Sequence, residues 1–336
     1  MAAKLLLSGK VIAEFGPRLD DILGRAPKAL EILPFAPEAS FATDEIARVE
    51  VTFYSRDIWD GTIKTALSPA ATRYWPVVDA APNLKWLQVV SAGADQAPYQ
   101  PSIRRGVRVT TSAGANAEPV GLTGVTGLLA LARGMPHYWA EQKKRQWSPL
   151  RGAYVPRDLR GQTAVIVGMG HIGATIARYL KVLGLTTVGI RRRVAPAEHF
   201  DEVVALQSLD TVLPRADWLV LACPLSDETR GLIDARRFAL LPRHAGFVNM
   251  SRGEVIDETA LTSTLAGGHL MGAYLDVFRH EPLAPESPLW ALPNVLISPH
   301  NSAASAGNYE RSVEIFLRNL ESYLRGRVLL ENEVTV

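Results

Sequence analysis

The segment from Thr163 to Gly173 constrains the fold of this chain more than any other. It reads Thr-Ala-Val-Ile-Val-Gly-Met-Gly-His-Ile-Gly, an apolar run that leads directly into a Gly-x-Gly-x-x-Gly pattern. A helical periodicity follows at once, so strand, glycines and helix occur in the order that lets a backbone approach a pyrophosphate at a helix N-terminus. A glycine-rich turn of purely structural use is the alternative. The predicted dinucleotide-binding glycines are Gly168, Gly170 and Gly173.

Three consecutive arginines indicate which dinucleotide is bound. In folds that prefer NAD, an acidic residue about 20 residues after the glycines ends the next strand and binds the ribose hydroxyls. Here the predicted strand Thr186–Ile190 is followed by Arg191, Arg192 and Arg193. Guanidinium groups can bind a 2′-phosphate, which a carboxylate would repel. The pattern favours NADP over NAD, although NAD use and a merely solvated loop stay open.

The rest of the chain predicts an α/β protein. Short apolar runs bounded by Gly, Pro, Asn or Asp alternate with segments of helical periodicity, which is typical of parallel sheets with helices on both faces. A length of 336 residues favours two domains. The expected helices include Gly173–Gly184 and about Asn308–Leu324. The expected strands are Lys4–Ser8, Leu84–Val90, Thr163–Val167, Thr186–Ile190, Trp218–Ala222, Gly246–Asn249, Met271–Val277 and Val295–Ser298.

Charge and cysteine content exclude several classes of partner and compartment. The formal charge is only +2, from 36 basic and 34 acidic residues, which gives no electrostatic reason to expect a nucleic-acid or membrane partner. Cys223 is the only cysteine, so no intrachain disulfide can form. No apolar stretch approaches the ~18 residues of a membrane span. We expect a cytoplasmic protein, and the absence of Cys/His metal spacing predicts no metal site.

Three polar clusters each follow an apolar strand. They contain Arg252 before Gly253, Glu281 before a proline, and His300 after a proline. Each has a plain structural explanation alone, as a surface pair, a loop residue or a helix cap. Because ligands of open parallel sheets bind beyond the carboxyl ends of strands, the three side chains can instead converge on one crevice. His280, beside Glu281, is expected to be an exposed loop residue.

This order and spacing resembles the D-isomer-specific 2-hydroxyacid dehydrogenase family over nearly the whole chain. The resemblance implies a hydride transfer between NADP(H) and a small 2-keto or 2-hydroxy acid, with a glyoxylate or hydroxypyruvate reductase favoured. Arg252, Glu281 and His300 are then the catalytic residues. His300 would exchange the proton, Glu281 would orient the imidazole ring, and Arg252 would hold the carboxylate and polarise the carbonyl.

The resemblance also implies further contacts. The turn Ser91–Asp95, with Ala92 and Gly93, would offer backbone N–H groups to the substrate carboxylate. The implied cofactor contacts are His171 and Ile172 at the pyrophosphate, Cys223 and Pro224 near the adenosine, and Met250, Ser251 and Asp276 on the nicotinamide side. Phe53, Tyr54 and Trp290 are candidate walls of the substrate pocket.

The implied architecture is two Rossmann-like, doubly wound parallel-sheet domains with the active site in the cleft between them. Residues 1–109 and 301–336 would form a discontinuous substrate-binding domain, and residues 110–300 the dinucleotide-binding domain. A homodimer is expected around the helix near Val120–Arg133, with His137–Trp147 as a candidate interface. Leu122 departs from the family pattern, because many members have a glutamate there.

Two other readings of the same fold stay open. One is a dinucleotide-sensing binding module of the transcriptional corepressor type, which would keep the three polar residues without using them for turnover. The other is a phosphite dehydrogenase. A formate enzyme is disfavoured, because such enzymes carry glutamine where this chain has Glu281. The sequence does not identify the keto acid.

Overall fold

The computed structural model describes residues 2–60, 62, 66–152 and 155–334. The chain forms two compact units, which we call unit 1 (Met1–Asn116 and Ser305–Val336) and unit 2 (Ala117–Ala304). Each contains a parallel sheet with helices on both faces, which confirms the predicted α/β class. Among the described residues, no helix is long and apolar enough to cross a membrane.

Unit 1 is built on a five-stranded parallel sheet of order β2-β1-β3-β4-β5. Its strands are β1 (Ala3–Ser8), β2 (Leu30–Phe35), β3 (Val49–Tyr54), β4 (Trp86–Val89) and β5 (Arg108–Thr111). Its helices are α1 (Gly9–Gly24), α2 (Thr43–Ala47), α3 (Arg56–Trp59), α4 (Pro69–Ala80), α5 (Gln100–Arg104) and α11 (Asn308–Leu324). A short 3-10 turn occupies Ala97–Tyr99.

The sheet of unit 1 is covered on both faces, which explains the uninterrupted leucine run of β1. Leu5, Leu6 and Leu7 of β1 are fully buried, with Leu6 in one cluster and its two neighbours in the other. The second cluster includes α11, where Phe316 stacks on Phe53 of β3 at a ring separation of 4.7 Å. The C-terminal helix is therefore part of the core of unit 1.

Unit 2 contains a seven-stranded parallel sheet of order β12-β11-β10-β9-β6-β7-β8. Its strands are β6 (Thr163–Val167), β7 (Thr186–Arg191), β8 (Glu202–Ala205), β9 (Trp218–Leu221), β10 (Gly246–Asn249), β11 (Gly272–Leu275) and β12 (Val295–Ile297). Its helices are α6 (Ala117–Ala132), α7 (Met135–Lys143), α8 (His171–Val182), α9 (Ala235–Leu240) and α10 (Glu258–Ala266). Short 3-10 turns lie at Leu206–Thr211, Leu213–Arg215, Gly253–Val255 and Pro288–Ala291.

The strand order of unit 2 creates a crevice at one position. The chain leaves β6 for β7 and β8 on one side, and then returns to β9 on the other side of β6. Ligands of open α/β sheets bind outside the carboxyl ends of strands at such a switch point. The Gly-x-Gly-x-x-Gly segment follows β6 directly, so it lies at this switch point.

Each predicted strand corresponds to an observed one, and α11 spans the predicted Asn308–Leu324. The sequence prediction did not include four strands, namely β2, β3, β5 and β8. β3 reads Val-Glu-Val-Thr-Phe-Tyr, so Glu50 and Thr52 interrupt its apolar run although both are buried, while β2 contains Pro34, which disfavours strand prediction. The helix predicted at Gly173–Gly184 begins and ends two residues earlier, because Gly170 is its N-cap.

Candidate active site

The three glycines after β6 have three different surroundings. Gly168 has a φ of +99°, and a Cβ there would lie 2.6 Å from the backbone nitrogen of Cys223. A Cβ on Gly173 would lie 1.9 Å from the carbonyl oxygen of Gly168, so only glycine lets α8 approach the loop. Gly170, at the N-cap, faces space in which no atom lies within 4 Å of a built Cβ.

This open space fits a pyrophosphate. The first-turn N–H groups of a helix have no partner inside the helix, and the helix dipole favours an anion at that end. At the start of the 12-residue α8, His171 is exposed and Ile172 is partly buried against the core. The backbone around Gly170 can therefore hold the phosphates of a dinucleotide, while Ile172 anchors the helix.

The arginine cluster lies at the same edge of the sheet as the glycine loop. The backbone nitrogen of Gly168 donates to the carbonyl oxygen of Ile190 at 3.0 Å, which joins the loop to the end of β7. Arg191 is the exposed last residue of that strand. Nε of Arg192 lies 3.8 Å from Oε2 of Glu228, in the loop after β9. Sequence reasoning did not identify Glu228.

In the loop after β9, the neighbouring residues Cys223 and Pro224 differ in solvent exposure. The side chain of Cys223 is buried in the core, and burial raises the pKa of its thiol to about 11. Pro224 is exposed, and its carbonyl oxygen accepts a hydrogen bond from the Thr229 hydroxyl at 2.7 Å. The exposed proline and the loop backbone are thus better placed than the thiol for contact with an adenosine.

Met250 and Ser251, at the end of β10, are both buried. Met250 packs against α6, where a Cβ on Gly124 would lie 3.0 Å from the methionine Cγ. The hydroxyl of Ser251 donates to Oδ1 of Asn249 at 2.7 Å. The described contacts of both side chains are internal to unit 2, and their role at a nicotinamide ring stays a prediction.

Arg252 is positioned by the glycine that follows it. Nη1 of Arg252 donates to the carbonyl oxygen of Ser251 at 2.8 Å, and the side chain is partly buried. A Cβ on Gly253 would lie 1.9 Å from the carbonyl carbon of Phe278. Only glycine permits this approach, so Gly253 brings the arginine loop against the backbone that leads to Glu281.

The side chains of Glu281 and His300 are in direct contact. Nδ1 of His300 lies 2.8 Å from Oε2 of Glu281, whose other oxygen accepts from the backbone nitrogen of Phe278 at 3.0 Å. The carboxylate is therefore held from both sides. Because Nδ1 faces Glu281, Nε2 is the ring nitrogen that points the opposite way. Such a pair can hold an imidazole in one tautomer and stabilise its protonated form.

Asp276 organises the loop that carries His300. Its side chain is 2% exposed and accepts hydrogen bonds from the hydroxyls of Ser298 and Ser302 at 2.6 and 2.5 Å. It also accepts from the backbone nitrogens of Asn301 and Ser302, at 3.0 and 3.2 Å. The backbone nitrogen of His300, which has a φ of +50°, donates to the Asp276 carbonyl oxygen at 2.8 Å. Asp276 was predicted to lie on the nicotinamide side, and these loop contacts were not anticipated.

In unit 1 the turn after β4 is held by side chains at its base. The Ser91 hydroxyl donates to the carbonyl oxygen of Gly93 at 2.7 Å, and Gln100 donates to that of Ala94 at 2.9 Å. Ala92 is exposed at the tip. The turn therefore has a defined shape that can present backbone N–H groups, as the sequence prediction requires.

Two of the three predicted pocket walls are instead core residues. Phe53 is fully buried against Phe316, and Tyr54 is 1% exposed, so neither can line an open pocket. Both belong to the strand whose complete burial the sequence pattern did not reveal. Trp290 is 53% exposed, with its indole nitrogen donating to the Ala284 carbonyl oxygen at 3.0 Å. His280 is exposed, as expected.

Comparisons with known proteins agree on one family. Residues 125–302 match the sequence profile of the D-isomer specific 2-hydroxyacid dehydrogenase, NAD binding domain. The chain is 35% identical to the glyoxylate reductase of Korarchaeum cryptofilum over 259 residues, which are 75% of this chain and 76% of that protein.

Solved structures extend the similarity to the whole chain. A D-isomer specific 2-hydroxyacid dehydrogenase family protein from Aeromonas salmonicida is 30% identical, with a TM-score of 0.77 over 100% of this chain and 99% of that one. A D-isomer specific 2-hydroxyacid dehydrogenase from Xanthobacter autotrophicus Py2, in complex with NADPH and MES, is 26% identical. Its TM-score is 0.75 over 100% of this chain and 98% of the other.

Proposed function

The chain belongs to the D-isomer specific 2-hydroxyacid dehydrogenase family and is an NAD(P)-dependent enzyme, and from this premise we propose that it reduces 2-keto acids of the glyoxylate and hydroxypyruvate type with NADPH. The observation that carries the proposal is the 2.8 Å contact between Nδ1 of His300 and Oε2 of Glu281. It pairs a proton donor with the carboxylate that orients it, on the loops where the fold places ligands.

His300 is the proton donor in this mechanism. A bound nicotinamide cofactor supplies the hydride to the carbonyl carbon. His300 gives the proton from Nε2 to the carbonyl oxygen, so the keto group gains one hydride and one proton and becomes a hydroxyl. Glu281 stabilises the charged imidazolium before the transfer, and solvent returns the proton afterwards. In the oxidative direction, Nε2 takes the proton back.

Arg252 holds the substrate. Its guanidinium can donate two parallel hydrogen bonds to a carboxylate and polarise the adjacent carbonyl, which stabilises the charge that develops on the oxygen. We propose that the backbone N–H groups of Ala92 and Gly93 also bind substrate. Unit 1 would then bind substrate, and unit 2 would bind cofactor through the backbone from Gly168 to Gly173.

The arginines after β7 support NADPH as the preferred cofactor. Arg191 and Arg192 occupy the edge of the sheet where a carboxylate would bind the ribose hydroxyls of NAD. Two exposed guanidinium groups beside the glycine loop can bind a 2′-phosphate through charge-assisted hydrogen bonds. The related enzyme from Xanthobacter autotrophicus was solved with NADPH.

We further propose a homodimer in the cytoplasm. Large apolar side chains are exposed on α6 and around α7, namely Leu122 (49%), Tyr138 (41%), Trp139 (43%) and Trp147 (98%). These side chains leave apolar area that a second copy of the chain could cover. The single cysteine fits a reducing compartment. Light scattering after size-exclusion chromatography tests the dimer, with twice the 36.6 kDa chain mass expected.

A substrate panel tests the proposed activity. Glyoxylate, hydroxypyruvate and pyruvate are each assayed with NADPH and with NADH by absorbance of the reduced nicotinamide. We expect reduction of at least one of them, with the higher kcat/KM for NADPH. Absence of turnover with every acid and both cofactors would reject the activity. A higher kcat/KM with NADH would reject the cofactor assignment alone.

A further inference from the structure

Tyr274 is a buried tyrosine for which the proposed mechanism has no use, and its hydroxyl is connected to the loop that carries His300. It belongs to β11 and is 6% exposed. Its hydroxyl oxygen lies 2.6 Å from Oγ of Ser298, and Oγ of Ser298 lies 2.6 Å from Oδ1 of Asp276. Two short hydrogen bonds therefore join the tyrosine to the carboxylate that organises the His300 loop.

The donor of each of these two hydrogen bonds can be assigned. A carboxylate accepts and does not donate, so the Ser298 hydroxyl gives its single proton to Asp276. The Tyr274 hydroxyl must then donate to Oγ of Ser298. Burial raises the pKa of Tyr274 against the opposing effect of the Ser298 contact, and the charge of Asp276 acts in the same direction as burial. The phenol therefore keeps its proton and stays a donor to Ser298.

The carboxylate end of this path holds the backbone around His300. Oδ1 of Asp276 accepts from the backbone nitrogens of Asn301 and Ser302, at 3.0 and 3.2 Å. The backbone nitrogen of His300 lies 2.8 Å from the carbonyl oxygen of Asp276 and 3.0 Å from that of Ser298. His300 has a φ of +50°, and a residue other than glycine keeps such a conformation only where its surroundings impose it. The residues of the path supply these surroundings.

The ring of Tyr274 has its place because of a glycine in α6. A Cβ on Gly127 would lie 2.2 Å from Cγ of the tyrosine ring and 2.6 Å from each Cδ atom. Glycine inside a helix is less favourable than alanine, but here only glycine lets the ring lie against the helix. Tyr274 is therefore fixed at both ends, by α6 at its ring and by Ser298 at its hydroxyl.

We propose that Tyr274 is a positioning residue for the reaction, which acts through Ser298 and Asp276 to hold His300 where its imidazole can exchange the proton. This role rests on the proposed function, because it requires His300 to be the acid. Without the tyrosine proton, Oγ of Ser298 loses its donor and the serine can turn away from Asp276. A catalytic group that is held less firmly transfers its proton more slowly.

Tyr274→Phe tests this role, because it removes the hydroxyl and keeps the ring on Gly127. We expect kcat for the best keto acid to fall about threefold to tenfold, the effect of losing a neutral hydrogen bond, while Kd for NADPH stays within about twofold. Ser298→Ala should lower kcat at least as much. Because the two residues act in series, the double variant should have the same kcat as Ser298→Ala. Losses that multiply in the double variant would overturn the path through Ser298.

Amide hydrogen exchange gives a second readout that does not need turnover. The backbone N–H groups of Asn301 and Ser302 donate to Asp276, so both should exchange with solvent faster in Tyr274→Phe than in the wild-type enzyme. Amides of the central strand β6 should exchange at the wild-type rate. Faster exchange throughout unit 2 would show that the hydroxyl supports the fold in general, and would overturn the positioning role.

Tyr74→Phe is the matched control. The Tyr74 hydroxyl is buried in unit 1, 2.6 Å from Oγ1 of Thr52, so this variant removes an equally buried tyrosine hydroxyl elsewhere in the chain. It should change neither kcat nor exchange at Asn301 and Ser302. An equal fall in kcat would reduce the Tyr274 effect to lost stability and overturn the role. Gly127→Ala displaces the ring instead of removing the hydroxyl, and it should lower kcat as Tyr274→Phe does.

The remaining outcomes separate this role from the proposed function. Wild-type kcat and wild-type amide exchange in Tyr274→Phe would overturn the role and leave the proposed function intact. Faster exchange at Asn301 and Ser302 with an unchanged kcat would show that Tyr274 holds the loop without effect on proton transfer, which also overturns the role alone. A wild-type enzyme that reduces no keto acid would overturn the proposed function and the positioning role together.

Discussion

Oε2 of Glu281 lies 2.8 Å from Nδ1 of His300, although the two residues are 19 positions apart and follow different strands of the sheet. The other carboxylate oxygen is held by the backbone nitrogen of Phe278. This arrangement fixes the ring through a carboxylate that is itself fixed, which is the geometry that positions an acid for proton transfer.

His300→Ala tests the identity of the acid. Positioned acid catalysis contributes about 10²–10⁴-fold, so we expect kcat for the best keto acid to fall by roughly a hundredfold or more. NADPH affinity, measured by fluorescence titration, should change little. His280→Ala is the matched control, because this exposed histidine lies next to Glu281 and should retain activity. Near-normal turnover of His300→Ala would show that another group donates the proton.

Glu281→Gln keeps a hydrogen-bond acceptor near the ring and removes the negative charge. The carboxylate, itself held by the backbone nitrogen of Phe278, holds the ring through Nδ1 so that Nε2 points away from Glu281. Without the charge this orientation is held less firmly, and we expect kcat for the best keto acid to fall at least about tenfold. An unchanged kcat would show that Glu281 does not act on His300.

Arg191→Asp tests cofactor choice. Replacing the guanidinium removes a charged hydrogen bond to the 2′-phosphate and adds repulsion, so KM for NADPH should rise about tenfold to a hundredfold. KM for NADH should stay the same or fall, since the new carboxylate can bind the ribose hydroxyls. Added salt should weaken NADPH more than NADH in the wild-type enzyme. Arg243→Asp makes the same charge change at a position before β10. An equal rise in KM for NADPH in this variant would show that net charge, and not a contact of Arg191 with the 2′-phosphate, causes the effect.

Asp276→Asn tests whether the buried carboxylate holds the His300 loop. An amide offers one acceptor oxygen where the carboxylate accepts from four donor groups of three residues. We expect the free energy of unfolding in urea to fall by about 1–3 kcal/mol, together with a lower kcat. Ser302→Ala removes one of these hydrogen bonds and should lose less. Wild-type stability and turnover in Asp276→Asn would show that the His300 loop does not need the charge of Asp276.

Cys223 should resist alkylation in the folded enzyme. Burial raises the pKa of its thiol to about 11, so at pH 8 roughly one molecule in a thousand carries the reactive thiolate. The thiolate population grows only as pH rises toward that value. We expect iodoacetamide to modify the native protein far more slowly than the urea-unfolded chain, as followed by mass. Equal rates in the two states would contradict the burial of the thiol.

The dinucleotide segment could be predicted from the sequence because its determinants are local. An apolar strand, three glycines and a helix follow one another within 163–182, and their order alone defines the loop. The placement of Arg252, Glu281 and His300 after apolar runs was also readable, since loops after parallel strands share one edge of a sheet. The sequence by itself therefore determined the fold class, the family and the three candidate catalytic residues.

Only the tertiary structure decided which residues those segments contact. Asp276 holds Asn301 and Ser302, and Tyr54 is buried in the core of unit 1. These features depend on neighbours from distant positions in the chain. Periodicity reports which face of an element is apolar, but it does not report what packs against that face. In β3 the polar residues Glu50 and Thr52 are buried together with their apolar neighbours, so the alternation in its sequence does not show that both faces of the strand are covered.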